Sequence, residues 1–360
     1  MSSILHRDLL ESLCPEVVGW EGYTRRADLK IAVVGFGKMG LLHSGIVNLL
    51  IPNAVKAIVD KSILITFGIS KIFNSVKFYR NLDGMLDEAK PDAVYVTTPT
   101  PSHYPIAKHL LERGINYIFI EKPPTTDYET TYQILSRKKS DQHIMVGFQK
   151  RFALTFRHAK LLIDSGIIGE VVNVYSYIRS GDILKHTNRF NPLGRGVLLD
   201  LGVHLVDLLS SFFKIKRVRQ AEYQSMYTRV DDFLRADLET EDCARVSLEA
   251  TWSDPEYRLP ETYIEVQGTH GTLKVTEDYL KVSTSAEHPL LGNKREIALY
   301  KPHYYQGIPP VNLADPEYTL ENIHFLRCIY EGGEPLTSIE NSLSTMRLID
   351  EIYEKAKIRV

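Results

Sequence analysis

The chain reads as an α/β protein: a doubly wound parallel sheet, then an α+β domain with a large open antiparallel sheet. Three observations predict this. Between residues 30 and 148, short apolar runs alternate with helix-like stretches. The first run leads into Gly35, Gly37 and Gly40, at G-x-G-x-x-G spacing. After about residue 150, strand-like runs follow one another with few helices between them. Short apolar strands separated by helices are the pattern of parallel strands buried on both faces. Strands in succession are the pattern of an antiparallel sheet. At 360 residues the chain is long for a single core. It divides into an N-terminal extension (1–28), a first domain (29–150) and a second (151–360).

The elements justify themselves in order. In the extension, Ile4, Leu5, Leu9, Leu10 and Leu13 share one helical face. That suits a helix packed on the body or on a neighbouring subunit. The apolar runs 30–34 and 54–59 are the first two strands, with a helix between them. The run 93–97 is rich in β-branched residues, 105–113 fits a helix ending at Gly114, and 117–120 is another strand. A helix over 127–138, capped by Thr125, Thr126 or Asp127, precedes a strand at 144–148. In the second domain, 155–164 is helical and is ended by Gly166 and Gly169. Strands are predicted at 171–177, 217–228, 244–252, 262–267, 272–276 and 295–300, with a turn over 268–271 joining two of them. Residues 317–331 and 337–357 read as closing helices.

Composition excludes several classes of function. The formal net charge is −2, so no basic field exists to hold nucleic acid. The three cysteines, Cys14, Cys243 and Cys328, lie far apart and lack metal-ligand spacing. They indicate a reducing compartment. Charges stand near the N-terminus where a signal peptide needs an apolar run, and no apolar stretch has the length of a membrane span. The expectation is a cytoplasmic protein with no metal, membrane or nucleic-acid partner.

The glycine segment carries the first chemical signal. The first glycine permits a tight turn out of the strand, the second lets backbone approach a pyrophosphate, and the third lets the helix pack on the strand. The helix N-terminus then offers N–H groups to phosphate. Asp60 closes the second strand, twenty residues after Gly40, where an acid can accept the ribose hydroxyls of an adenosine. Strand, glycines, helix, strand and acid in that order point to a bound dinucleotide.

Three more segments place polar groups where a core would not want them. Thr97-Thr98-Pro99-Thr100-Pro101-Ser102-His103 follows a strand at the carboxyl edge, where ligands of open α/β sheets bind. A proline-rich turn capping a helix explains Pro101 and Ser102 equally well. Glu121-Lys122-Pro123-Pro124 follows the next strand, so that Lys122 can point into the same crevice. Its bland alternative is a solvated loop lysine. A cis Lys122–Pro123 bond is left open by the sequence. Asp200 and His204, four apart on a helix, share a face as an acid–imidazole pair suited to proton transfer. Leu198, Leu201, Leu205 and Leu208 line the buried side. A structural Asp–His contact and a metal trio of Asp200, His204 and Asp207 compete with that reading.

Taken together, GFGKMG (35–40), TTPTPSH (97–103), EKPP (121–124), GFQKRF (147–152) and DLGVH (200–204) resemble the glucose–fructose oxidoreductase / inositol dehydrogenase / rhizopine catabolism (Gfo/Idh/MocA) family. The likeness runs from about Lys30 to the C-terminus. It implies an N-terminal Rossmann domain and a C-terminal domain whose open sheet forms subunit contacts, hence a homo-oligomer, a dimer or tetramer. It also implies residue roles. Gly35, Phe36, Gly37, Lys38, Met39 and Gly40 form the pyrophosphate loop. Asp60 binds ribose, which suggests NAD; Lys61 and Ser62 beside it leave NADP open. Thr98, Pro99, Thr100, His103, Glu121 and Gln149 line the cofactor path, although many relatives have Asn where Gln149 stands. Lys122 assists hydride transfer, and Asp200 and His204 face the substrate carbinol. Arg151 and Tyr177 are candidate substrate contacts, with Arg179, Lys185, Arg189, Arg195 and Tyr263 further ones. Arg195 stands where relatives commonly have glycine.

The activity implied is NAD(P)-dependent oxidation of a secondary alcohol, or its reverse, on a sugar, polyol or nucleotide sugar. The alternatives are an NAD-dependent glycoside hydrolase, working by transient oxidation and β-elimination, and a non-enzymatic dinucleotide-sensing protein.

Overall fold

A computed structural model of the chain describes residues 7–20, 28–62, 75–181, 195–305 and 316–358. The described residues form two compact units. One contains 14–149 and the stretch 316–343; the other contains 7–13, 150–305 and 344–358. Sequence analysis assigned 317–331 to the second domain as a closing helix. In the structure the helix Pro316–Glu331 belongs to the first unit, because its apolar face packs there. The Phe325 ring lies edge-on to Tyr95, 5.2 Å between centroids, and meets Phe119 at 5.6 Å.

The first unit is built on six parallel strands: β1 (Ile31–Val34), β2 (Val55–Val59), β3 (Lys77–Tyr79), β4 (Ala93–Val96), β5 (Tyr117–Glu121) and β6 (His143–Gly147). Their order across the sheet is β3-β2-β1-β4-β5-β6. Every residue of β1 and of β4 is buried. This is why these strands read as unbroken apolar runs rather than as alternating ones. The helix Lys38–Leu50 follows β1, His103–Glu112 follows β4 and Tyr128–Arg137 follows β5. Asp127 caps the last of these by accepting from the Thr130 amide at 2.8 Å. The strand order reverses between β1 and β4, so a crevice opens at their carboxyl ends.

The second unit holds a nine-stranded sheet. Its strands are β7 (Val171–Arg179), β8 (Ile215–Gln224), β9 (Phe233–Thr240), β10 (Arg245–Thr251), β11 (Glu261–Gly268), β12 (Gly271–Val275), β13 (Tyr279–His288), β14 (Lys294–Tyr300) and β15 (Ala356–Ile358). The order is β14-β13-β12-β11-β7-β10-β9-β8-β15. The sheet is mixed rather than purely antiparallel, since β7 pairs with β10, and β8 with β15, in parallel. Between β7 and β8 the chain passes through the helix Val203–Phe212. A crossover of that length lets consecutive strands run in the same direction.

Alternation along the strands gives this sheet two unlike faces. Val174, Ser176 and Ile178 of β7 are buried, as are Leu234, Ala236 and Leu238 of β9. Each leucine or isoleucine so buried contributes about 1.5–3 kcal/mol. Tyr175, Tyr177 and Arg179 occupy the opposite face and remain half-buried.

Candidate functional site

In the first unit, the glycine loop has the geometry its spacing predicts. Gly35 has φ +90°, the left-handed region that a side chain resists, and its amide donates to the Val59 carbonyl at 2.8 Å. Gly40, in the first turn of the helix, lies so close to the loop that a Cβ would stand 2.1 Å from the Gly35 carbonyl oxygen. Gly37, between them, caps the helix, and a Cβ there would meet nothing within 4 Å. The opening thus sits at the helix N-terminus, where amides face an anion. These are the features a pyrophosphate requires: open space over the middle glycine and packed backbone on either side. Lys38 and Met39 form the first turn beyond it.

Asp60 is bound into the same loop. Its Oδ2 accepts from the Phe36 amide at 2.7 Å and its Oδ1 from the Ser62 amide at 2.8 Å. The carboxylate is therefore oriented by backbone on both oxygens and still has lone pairs to offer a diol. Phe36 itself is buried, edge-on to Phe78 at 6.1 Å. Lys61 is exposed beside this acid.

The two loops beyond β4 and β5 are tied together. His103 is buried, with Nε2 2.7 Å from the Thr98 carbonyl and Nδ1 3.0 Å from the Pro123 carbonyl. Burial holds this imidazole below its ordinary range, against the pull of the two carbonyls and of Glu121. Sequence analysis gave His103 to the cofactor path; here both ring nitrogens face loop carbonyls, and a ring with one N–H donates to one of them. Thr97 closes the other side, donating from Oγ1 to the Gly35 carbonyl at 2.6 Å. Pro99 and Thr100 lead into the turn Thr100–Ser102. The Lys122–Pro123 bond is cis. Glu121 is buried; its Oε2 accepts from the Lys122 amide at 3.1 Å and its Oε1 lies 2.8 Å from His43 Nε2. Gln149 donates to the Tyr318 hydroxyl at 3.1 Å. Sequence reasoning missed His43, since nothing local marks a histidine three residues past a glycine loop, and it read the helix Pro316–Glu331 without its place in the first unit.

In the second unit, Asp200 and His204 lie where two kinds of helix meet. A π turn spans Leu198–Gly202, and an α-helix runs on from Val203 to Phe212. Single π turns inside helices recur at functional sites. The wider turn explains two departures from an α-helical wheel: Asp200 is exposed while His204 is 4% exposed, and Leu201 is only half-buried. Asp207 is turned into a bidentate pair with Arg151, 2.6 Å to Nε and 2.8 Å to Nη2, and also accepts from Thr345. Its carboxylate is thereby occupied away from the metal-trio arrangement, and Arg151, a candidate substrate contact, has Asp207 as its partner. Among the described residues there is no group of three or more metal-ligating side chains.

Tyr177 lies on the face of the sheet away from this helix. A Cβ on Gly202 would come within 3.2 Å of Ala250, which is the cross-strand neighbour of Ile178. The helix thus covers the Ile178 face and Tyr177 points the other way. There it donates to Glu261 at 2.7 Å and stacks on Tyr263 at 5.0 Å. Arg179 pairs with Glu249 at 3.0 Å and Arg195 with Asp350 at 2.5 Å. Lys185 and Arg189 lie outside the described residues.

Asp231 anchors the start of the Asp200 segment. It accepts from the amides of Gly196 at 2.6 Å and Leu198 at 3.0 Å, and from the Tyr353 hydroxyl at 3.1 Å. Burial raises this carboxyl to about 6, against the pull of those donors. An acid raised in the folded state stabilises most when protonated. Its contribution is full below the unfolded-chain pKa near 4 and is lost as pH climbs through about 6. The rise from near 4 to about 6 corresponds to about 3 kcal/mol. Asp231→Asn loses one acceptor at every pH but also loses the titration. Thermal unfolding midpoints measured from pH 4 to 7 should therefore fall more steeply with pH for the parent than for the variant. Parallel curves would remove Asp231 as the source.

The comparisons with known proteins agree with this architecture. Residues 29–148 match the family profile described as an oxidoreductase family with an NAD-binding Rossmann fold, and 156–274 match the GFO/IDH/MocA C-terminal domain. An uncharacterized oxidoreductase of Schizosaccharomyces pombe is 31% identical over 192 residues, 52% of this chain and 49% of that protein, so the chain matches about half that relative's length. The scyllo-inositol 2-dehydrogenase (NAD(+)) of Bacillus subtilis is 24% identical, over 86% of this chain and 89% of its own. The crystal structure of the WlbA dehydrogenase from Bordetella pertussis with NADH and UDP-GlcNAcA superposes with a TM-score of 0.77 at 19% identity, covering 92% of this chain and 96% of that one. This last likeness is one of fold. With both family domains matched in order along the chain, it belongs to the Gfo/Idh/MocA family of oxidoreductases and carries that family's NAD-binding Rossmann domain.

Proposed function

We propose that the chain transfers a hydride between NAD and a secondary alcohol or carbonyl of a sugar, polyol or nucleotide sugar. One observation carries the reading. At the carboxyl edge of a single sheet stand an open Gly37, an Asp60 oriented by two amides, and the Lys122 loop clasped through His103. Bound nicotinamide supplies the hydride acceptor. The protein's residues do the rest. The Lys122 ammonium stabilises negative charge developing on the carbinol oxygen. His204 takes the hydroxyl proton, and Asp200 orients it or bonds the sugar. The relative named for scyllo-inositol, and the dehydrogenase crystallised with UDP-GlcNAcA, support the substrate class. The test is a screen of polyols, aldoses, sugar acids and nucleotide sugars for a change in nicotinamide absorbance. Silence across all four classes with both NAD and NADP would sink the reading.

The pinned Asp60 further supports NAD over NADP, because a carboxylate that cannot swing aside repels a 2′-phosphate. Asp60→Asn keeps an acceptor oxygen for the Phe36 amide and removes the charge. Hydrogen bonds to a charged group are worth about 1.5–3 kcal/mol. The ratio of NAD to NADP affinity, read by titration, should therefore fall at least about tenfold. An unchanged ratio would show that Asp60 does not choose the cofactor.

A further inference from the structure

Beneath the Lys122 loop lies a chain of polar side chains that no step above uses. His43, on the helix that opens at the glycine loop, is fully buried, as are Tyr95 and Asn322. The Tyr95 hydroxyl donates to Asn322 Oδ1 at 3.0 Å. The Asn322 amide donates to the Tyr318 carbonyl at 2.7 Å and to His43 Nδ1 at 3.0 Å. With Nδ1 accepting, the remaining ring proton sits on Nε2 and donates to Glu121 Oε1 at 2.8 Å. The other Glu121 oxygen accepts from the Lys122 amide. Donors thus run in one direction from Tyr95 to Glu121, and a neutral imidazole satisfies every partner.

Packing alone does not call for this arrangement. The His43 ring lies among aromatic rings, 4.8 Å from Phe119 and 5.5 Å from Tyr95 between centroids, where a hydrocarbon would fit. A buried polar network is worse than an apolar core unless it is fully paired, so its retention needs a reason. A second carboxyl, Glu321, is fully buried nearby, and burial together with the Glu121 charge pushes it well above the usual carboxylate range.

We propose that His43 is a positioning residue: through Nε2–H it holds Glu121, and through Glu121 the Lys122 amide, in fixed register with the helix of the glycine loop. The consequence for turnover rests on the role given to Lys122 above.

The test compares two variants of the full chain. A Gln side chain can place its amide nitrogen where the imidazole Nε2 stands, whereas Asn reaches only the Nδ1 position. With NADH as the probe, hydrogen exchange of the segment containing the Lys122 amide should quicken about tenfold or more in His43→Asn and stay within about threefold of the parent in His43→Gln. On the best substrate of the screen, kcat should fall about tenfold to a hundredfold in His43→Asn only. NADH affinity should hold, while the unfolding midpoint of His43→Asn should fall, because Glu121 loses a buried donor. Unchanged protection in His43→Asn, or equal loss in both variants, overturns the proposal. If His43→Asn does not fold, Glu121→Gln, which presents an amide N–H to one of the two donors, must show the same loss of protection; parent-like exchange there is equally fatal. Lys122→Met separates the two readings: parent-like turnover removes the role of Lys122, while the exchange data still judge His43.

Discussion

Lys122→Ala and His204→Ala should each lower kcat by roughly 10² to 10⁴ while the dissociation constant for NAD stays within a few-fold. The size is that of general acid–base assistance withdrawn from one step. The asymmetry is the stronger part of the prediction. An ammonium that meets charge only as it develops on the carbinol oxygen, and an imidazole that receives a proton only as the C–H bond opens, contribute in the transition state and little in the ground state. Their loss appears in kcat, and in kcat/KM equally. His204 is buried, so its truncation to Ala also leaves a cavity. His204→Gln, closer in volume, should show the same fall in kcat with less change in the unfolding midpoint. If NAD affinity drops in proportion to turnover, the two side chains are structural. If turnover persists in both, neither takes part in the chemistry.

How far the sequence revealed this molecule depended on how local each cause was. Five of the six parallel strands were legible because strand, glycines, helix and acid each obey a constraint acting within a few residues, whereas β3, three residues long, was not predicted. The roles of Gly35 and Gly40 follow from backbone distances alone. The strand β9 escaped prediction although Leu234, Ala236 and Leu238 alternate inward. The residues between them, Arg235, Asp237 and Glu239, are poor strand formers, and it is pairing with β8 and β10 that fixes them. The parallel β7–β10 pair was hidden for a similar reason: its strands are separated by a crossover whose direction no short window records. In the candidate site, residue types were readable and their partners were not. Arg151 looked available for a substrate until Asp207 was found 56 residues away, and the Glu121 carboxylate gave no sign of a histidine 78 residues before it. Tyr177 was placed on a strand but not on a face, and the face decides what it can touch. Such facts belong to tertiary contacts between distant segments, which periodicity does not encode.

Gly40→Ala and Gly37→Ala should fail in different ways, and the difference tests the glycine loop as a cofactor cradle. A methyl on Gly40 would overlap the Gly35 carbonyl oxygen at 2.1 Å and crowd Thr97 Oγ1 at 2.9 Å. The helix Lys38–Leu50 must then move off β1, breaking the Thr97 bond to Gly35. Overpacking of this kind costs about 1–3 kcal/mol, so the protein without cofactor should melt measurably lower and bind NAD poorly. A methyl on Gly37 meets nothing within 4 Å, and its backbone, at φ −76°, suits any residue. Replacing the capping glycine by alanine should therefore change stability by no more than about 1 kcal/mol. It would nonetheless stand over the helix N-terminus, in the space a pyrophosphate needs, and NAD affinity should fall at least about tenfold. Calorimetric titration alongside thermal unfolding reads both quantities on the same samples. A Gly37→Ala protein that binds NAD as the parent does would mean that the phosphates lie elsewhere, and the loop would then be a turn that happens to contain three glycines.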